Sequence, residues 1–126
     1  MPEEKDQDLT TIVLSAGGSL RACECQDGTS ALRPKIAHGK AFGAVSISMG
    51  SQALFERAKQ EPFFIQAMNS LCDGALVPVP GGVLVRNQSG DIVGAVGVTG
   101  DISDNDETCA VAGIEAAGFV ADTGGK

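Results

Sequence analysis

The chain has 126 residues, enough for one domain, with 43% hydrophobic residues to build a core and only 4% aromatic ones, none of them Trp or Tyr. Its formal charge is −7 and it carries no basic cluster, which argues against nucleic acid and anionic membrane surfaces as partners. No apolar run approaches the ~20 residues of a membrane span, so no membrane association is expected.

The N-terminal MPEEKDQD is acidic and polar and lacks the basic-then-apolar order of a secretion signal. Residues 1–8 are expected to form a polar tail, and the cytoplasm is the expected compartment. Leu9 to Ser15 is rich in β-formers, Ala16-Gly17-Gly18-Ser19 is a turn, and Leu20 to Gln26 alternates two faces. Together they predict a first hairpin, closed by Asp27-Gly28-Thr29-Ser30. The period then changes. Pro34 suits a helix first turn, and Ile36, Ala37, Lys40, Ala41 and Ala44 recur at helical spacing, with small residues facing something closely packed. Val45 to Gly50 is expected to be the frayed helix end and a loop.

Ser51 is expected to cap a short helix over Gln52 to Lys59. Pro62 starts another, with Phe64, Ala67, Met68 and Leu71 facing inward until Asp73-Gly74 stops it. Ala75 to Val79 is expected to be a short edge strand beside Pro78 and Pro80. Val83 to Val85 and Ile92 to Val98 flank the polar Asn87-Gln88-Ser89-Gly90 and predict a second hairpin. Gly94, Gly97 and Gly100 in and after its second strand suggest a closely approaching backbone, a bulge or a ligand. Ser103 and Asp106 stand at capping-box spacing. A last helix is expected to run to about Asp122, with Cys109, Ala112, Gly113, Ala116, Ala117 and Val120 as a small-residue seam against the sheet or a second subunit. Residues 123–126 are expected to be a frayed tail. The sum is one α+β domain over residues 9–122, an antiparallel five-stranded sheet flanked by helices.

The four cysteines are Cys23, Cys25, Cys72 and Cys109. Cys23 and Cys25 are two apart on a predicted strand, so they share one face, yet such neighbours are poorly placed to bond each other. Paired C-x-x-C spacing is absent, so the set reads as four reduced, mostly buried thiols rather than a zinc site. His38, the one histidine, is a candidate ligand for haem iron or an acid or base near neutral pH, or simply a surface-helix residue. Lys40 either lays its stem on apolar surface or holds a carboxylate, such as a haem propionate or an organic acid. At two residues' separation on a helix, His38 and Lys40 point apart. Gly97, Thr99 and Gly100 lead into the start of the last helix, where backbone amides favour an anion. Asp101, Asp104, Asp106 and Glu107 oppose that, and are read as caps. No dinucleotide motif and no Ser/His/Asp arrangement is legible.

Pro78, Gly81-Gly82, Gly94-Ala95-Val96-Gly97-Val98-Thr99-Gly100 and Asp106 resemble the signature of the GlcG/HbpS-like family, which includes the C-terminal domain of PduO-type proteins. Ala37-His38-Gly39-Lys40-Ala41-Phe42-Gly43-Ala44 resembles the family's A-x-x-K-A-x-x-A helix, and Ser51-Gln52-Ala53-Leu54 its following S-x-x-L. The resemblance spans about Thr10 to Gly118. It implies a profilin-like α/β/α sandwich, assembly into a homo-oligomer, and a small-molecule ligand, with haem the first to consider and His38 a candidate axial ligand. His38, Lys40, Gly97, Thr99 and Gly100 are then the candidate ligand-binding residues. Two alternatives stand beside it: an enzyme or accessory factor acting on a small organic acid, and a structural homo-oligomer without ligand. Family members commonly carry a long helix before the first strand, whereas only eight polar residues precede Leu9. One sheet face is therefore expected to be covered by a partner subunit or a shifted helix.

Overall fold

The computed structural model describes residues 8–125. The predicted polar tail over residues 1–8 lies outside them apart from Asp8, as does Lys126. The elements run β1 (Thr10–Ser15), β2 (Leu20–Cys25), α1 (Arg33–Ile47), α2 (Ser51–Gln60), α3 (Pro62–Leu71), β3 (Gly82–Arg86), β4 (Ile92–Thr99), α4 (Ser103–Ala116) and β5 (Val120–Asp122). The five strands form one sheet in the order β2-β1-β4-β3-β5, every pair antiparallel. The α+β class and the five-stranded antiparallel sheet are as the sequence predicts.

Alternation along β1 sets the two faces. Thr10, Ile12 and Leu14 are buried, and Thr11, Val13 and Ser15 are half-buried. Ile12 and Leu14 join Leu84 and Ala95 from β3 and β4 under Ala37, Ala41 and Ala44 of α1. On the opposite face, Val83, Val85 and Val98 pack against Ala110 and Ile114 of α4. A third cluster, Leu54, Ile65 and Leu76, ties α2 and α3 to the loop that follows them.

The glycines of the second hairpin determine how close α1 comes. A Cβ on Gly97 would run into the carbonyl oxygen of Ala37, and one on Gly82 into that of Lys40. The helix backbone therefore rests on the strand backbones, as the predicted close approach requires. From the other side Val77 packs on Gly39 and Leu76 on Gly43, so α1 is enclosed between the sheet and the 75–80 segment.

Several local expectations are corrected. Residues 75–79 form no strand. Val77 N–H donates to Gly39 O at 3.2 Å and Leu76 N–H to Asn69 Oδ1 at 3.1 Å, so the segment is committed to helices rather than to a sheet edge. The fifth strand is instead β5, because α4 ends at Ala116 and Gly118 (φ 89°) turns the chain back along β3. α1 continues through Val45 to Ile47 and stops where Ser48 adopts a left-handed conformation. Ser51 is the first helical residue rather than the cap, and its Oγ accepts from Gly82 N–H at 2.7 Å, joining α2 to β3. Of the side chains expected inward on α3, Phe64 and Met68 join the third cluster, whereas Ala67 and Leu71 are exposed and Ile65 is buried in their place. Thr123 to Gly125 are not frayed. Thr123 O accepts from Gln52 N–H at 3.2 Å and its hydroxyl donates to Gln52 Oε1 at 3.2 Å.

Two glycine substitutions separate contact from propensity. Gly97→Ala forces the α1 carbonyls off the sheet and is expected to cost about 1–3 kcal/mol in urea unfolding. Gly113, in α4, has open space where a Cβ would sit, so Gly113→Ala is expected to stabilise by about 0.5–1 kcal/mol.

Candidate functional site

Lys40 leaves the middle of α1 at the point where β4 ends. Its ammonium donates to Val98 O at 2.9 Å and to Asp106 Oδ2 at 3.2 Å. Both side chains are closed off from solvent, at 2% and 1% exposure. Gly81 (φ 126°) makes room, since a Cβ there would meet the Lys40 ammonium and the Val98 carbonyl. Asp106 lies in the first turn of α4, and its Oδ1 accepts from Asp101 N–H at 2.9 Å. One carboxylate thus holds the entry to α4 and receives a cation from the helix on the other face of the sheet. The predicted capping box does not form, because Ser103 is itself the first helical residue and Asp106 has these other partners. Burial pushes the Lys40 ammonium below its ordinary pKa. Asp106, by charge and hydrogen bond, opposes that shift, and the nearby Arg33 charge adds to it.

Arg33 opens α1 beside the same strand end. Its guanidinium donates to Thr99 Oγ1 at 3.2 Å and lines a cleft of about 220 Å³ with Gly100, Ser30, Thr29, Gly28 and Asp8. Thr10 pairs across the ladder with Thr99, and its buried Oγ1 has no hydrogen-bond partner among the described residues. His38 faces elsewhere. It is half-buried, stacks on Phe42 with ring centroids 5.2 Å apart, and lines a cleft of about 380 Å³ with Pro34, Lys35, Asp73, Gly74 and Ala75.

The structure therefore divides the predicted site residues. Gly100 lines the Arg33 cleft, Thr99 is buried beside it and accepts from the guanidinium, and His38 borders a separate cleft. Gly97 is buried beneath the Ala37 carbonyl and is a helix seat. Lys40 does hold a carboxylate, but it is the one on Asp106, and its ammonium has almost no exposed surface for a ligand. Arg33 is missing from the sequence-based set. A lone arginine before a proline gives no local signal of its hydrogen bond to a residue 66 positions away.

Among the described residues, part of the sheet face beside α4 is open. Beside α4 an apolar groove of about 440 Å³ runs over Thr11, Val13, Val96 and Val98 toward Cys109 and Phe119. The small-residue seam borders it. Cys109, Ala112, Gly113, Ala116, Ala117 and Val120 are all exposed, and Ala110 and Ile114 make the buried contact with the sheet. Among the described residues no group of three or more His, Cys, Asp or Glu side chains is placed to hold a metal ion, and no helix is long and apolar enough to cross a membrane.

The family described as "Haem degrading protein HbpS-like" matches residues 2–115. The chain belongs to the HbpS-like family. The crystal structure of HbpS is 27% identical and superposes with a TM-score of 0.76, over 93% of this chain and 79% of that one. A glutamate-to-aspartate double variant of Streptomyces reticuli HbpS has the same identity and TM-score, over 92% and 75%. The crystal structure of a PduOC–haem complex shares the fold with a TM-score of 0.81 at 18% identity, over 94% and 84%. No curated protein matches the chain.

At the His38 cleft a haem would meet the imidazole as donor, the Lys35 ammonium for a propionate, Pro34 and Ala75 as apolar contact, and the Asp73 carboxylate. The Arg33 cleft offers a guanidinium and hydroxyls but no donor suited to haem iron.

Glu107 follows the buried Asp106, and its Oε2 is buried without a hydrogen-bond partner among the described residues. Burial, then the Asp104 charge, pushes its carboxyl above the ordinary 4.5. The folded state therefore binds that proton more tightly than the unfolded one, and stability falls as pH rises through the window above 4.5. Glu107→Gln is expected to stabilise the fold at neutral pH, by an amount that solvent screening keeps below about 1 kcal/mol, and so to raise the thermal midpoint. The gain should vanish as the pH is lowered to 4.5, which thermal melts across that range will check.

Proposed function

We propose that this protein binds haem, with His38 as the axial donor and Lys35 beside it for a propionate. The observation that carries the reading is the half-buried imidazole stacked on Phe42 at an open cleft, in a chain of the HbpS-like family. The PduOC–haem complex, on the same fold, supports it. Haem would supply a redox-active iron. The chain supplies the donor, the cation and a ring-stacked helix face that fixes the imidazole's orientation.

A homo-oligomer belongs to the same proposal. The apolar groove beside α4 is the sheet face that a second copy would cover, and apolar area removed from water contributes about 25 cal/mol per Å². A second reading, a small organic acid as ligand or substrate, draws on the Arg33 cleft, where the guanidinium would pair with a carboxylate beside Thr29 and Ser30, against the opposing charge of Asp8 in the same lining.

Titration with haemin tests the reading. The expected result is a saturable, sharpened Soret band that His38→Ala shifts or weakens by about tenfold or more in affinity, roughly 1.4 kcal/mol. Sedimentation of the same samples reads the oligomer. Identical spectra and affinities for the two proteins would remove His38, and a non-saturating spectrum in both would remove haem and leave the carboxylate reading, followed by thermal shift with small acids.

A further inference from the structure

β2 is the edge strand of the sheet, paired with β1 alone, and all six of its residues are exposed. Two of them are free cysteines. Cys23 pairs with Ile12 and Cys25 with Thr10. Cross-strand partners share a face, and Ile12 and Thr10 are buried on the α1 side. Both thiols therefore leave the sheet on that side, at the rim where α1 no longer covers it. Glu24 pairs with Thr11 and projects from the opposite face, so its carboxylate does not join them. The expectation of mostly buried thiols is corrected here. Cys23, Cys25 and Cys109 are exposed and Cys72 is half-buried.

The spacing decides what two such thiols can do. An extended strand rises about 3.3 Å per residue, so Cα atoms two apart are about 6.6 Å from each other with parallel Cα–Cβ bonds. A disulfide requires Cβ atoms about 3.5–4.5 Å apart, which parallel bonds from that strand cannot reach without bending it. A metal ion between the sulfurs relaxes the demand. Two bonds of about 2.3 Å allow the sulfurs to stand about 4.6 Å apart, within reach of side-chain rotation alone.

We propose that Cys23 and Cys25 form a two-thiolate site for one soft monovalent metal ion of the copper(I) class. Thiolates select soft ions, and copper(I) is satisfied by two of them. Zinc is disfavoured, because a structural zinc site takes four ligands and no third His, Cys, Asp or Glu among the described residues joins the pair. Metal binding displaces the thiol protons, so uptake is expected to weaken as the pH is lowered. The site is separate from the His38 cleft, whose lining includes neither cysteine.

The test is competition for copper(I) between the reduced protein and a chromogenic copper(I) chelator. The wild type should take up one equivalent per chain. Cys23→Ser and Cys25→Ser should each weaken uptake by about 100-fold or more, about 2.7 kcal/mol. Cys72→Ser should behave as wild type, and circular dichroism should report unchanged folds in the β2 variants, since β2 is exposed on both faces. Full uptake by either single variant would overturn the proposal. So would one ion per two chains with an increase in assembly size over the metal-free protein, which would assign the thiols to a bridge between copies.

Discussion

The seating of α1 on the sheet at backbone distance is the constraint from which the rest follows. Gly82 and Gly97 leave no side chain between the strands and the carbonyls of Lys40 and Ala37. With the helix that low, the long Lys40 side chain cannot escape to solvent. It runs along the end of β4 to the carboxylate of Asp106. The same rotation about the helix axis turns His38, two residues earlier, outward to its own cleft. A single helix thus presents a cation to the interior and an imidazole to an open cleft, and the division depends on glycines 40 to 60 positions further along the chain.

The buried pair has an energetic logic beyond attraction. Desolvation of the ammonium is the largest influence on it, as the lowered pKa records, and Asp106 only partly offsets it. Pairs of this kind add little net stability but penalise any arrangement in which one partner is missing. Here the penalty falls on structures in which α1 and α4 are not both docked, since each contributes one charge across the end of the sheet. The two faces are otherwise unequal. On the α1 side the helix covers β1, β4 and β3 and leaves the β2 rim exposed, and among the described residues the α4 side leaves part of β1 and β4 open in the groove beside Phe119.

Periodicity exposed the two hairpins, the three helices from Arg33 to Leu71 and the start of α4, because each carries its own local signal. The glycine-rich second strand correctly announced a closely approaching backbone. What escaped was tertiary in origin. β5 is three residues long and follows a small-residue helix without a change of period, so only Gly118 marks the boundary. The 75–79 run has the composition of a strand, yet Gly39 and Gly43 offer it a helix surface instead. Ser51 and Asp106 both look like caps in the sequence, and both use their oxygens on distant partners. Of the candidate site, His38 and the Thr99-Gly100 turn were legible as residue types, whereas Arg33 was not. Lys40 was legible as a carboxylate binder, but the identity of its carboxylate depended on contacts 66 positions apart.

A double-mutant cycle on Lys40 and Asp106, measured by urea unfolding, tests the central claim most directly. Lys40→Met and Asp106→Asn should each destabilise by about 3–5 kcal/mol, because each strands a buried polar partner. The double variant should cost less than their sum by about 2–3 kcal/mol, with the remainder reflecting the lost Asp101 amide contact. Single costs near zero, or strict additivity, would mean that the charges do not meet across the sheet and that Lys40 is free to face a ligand.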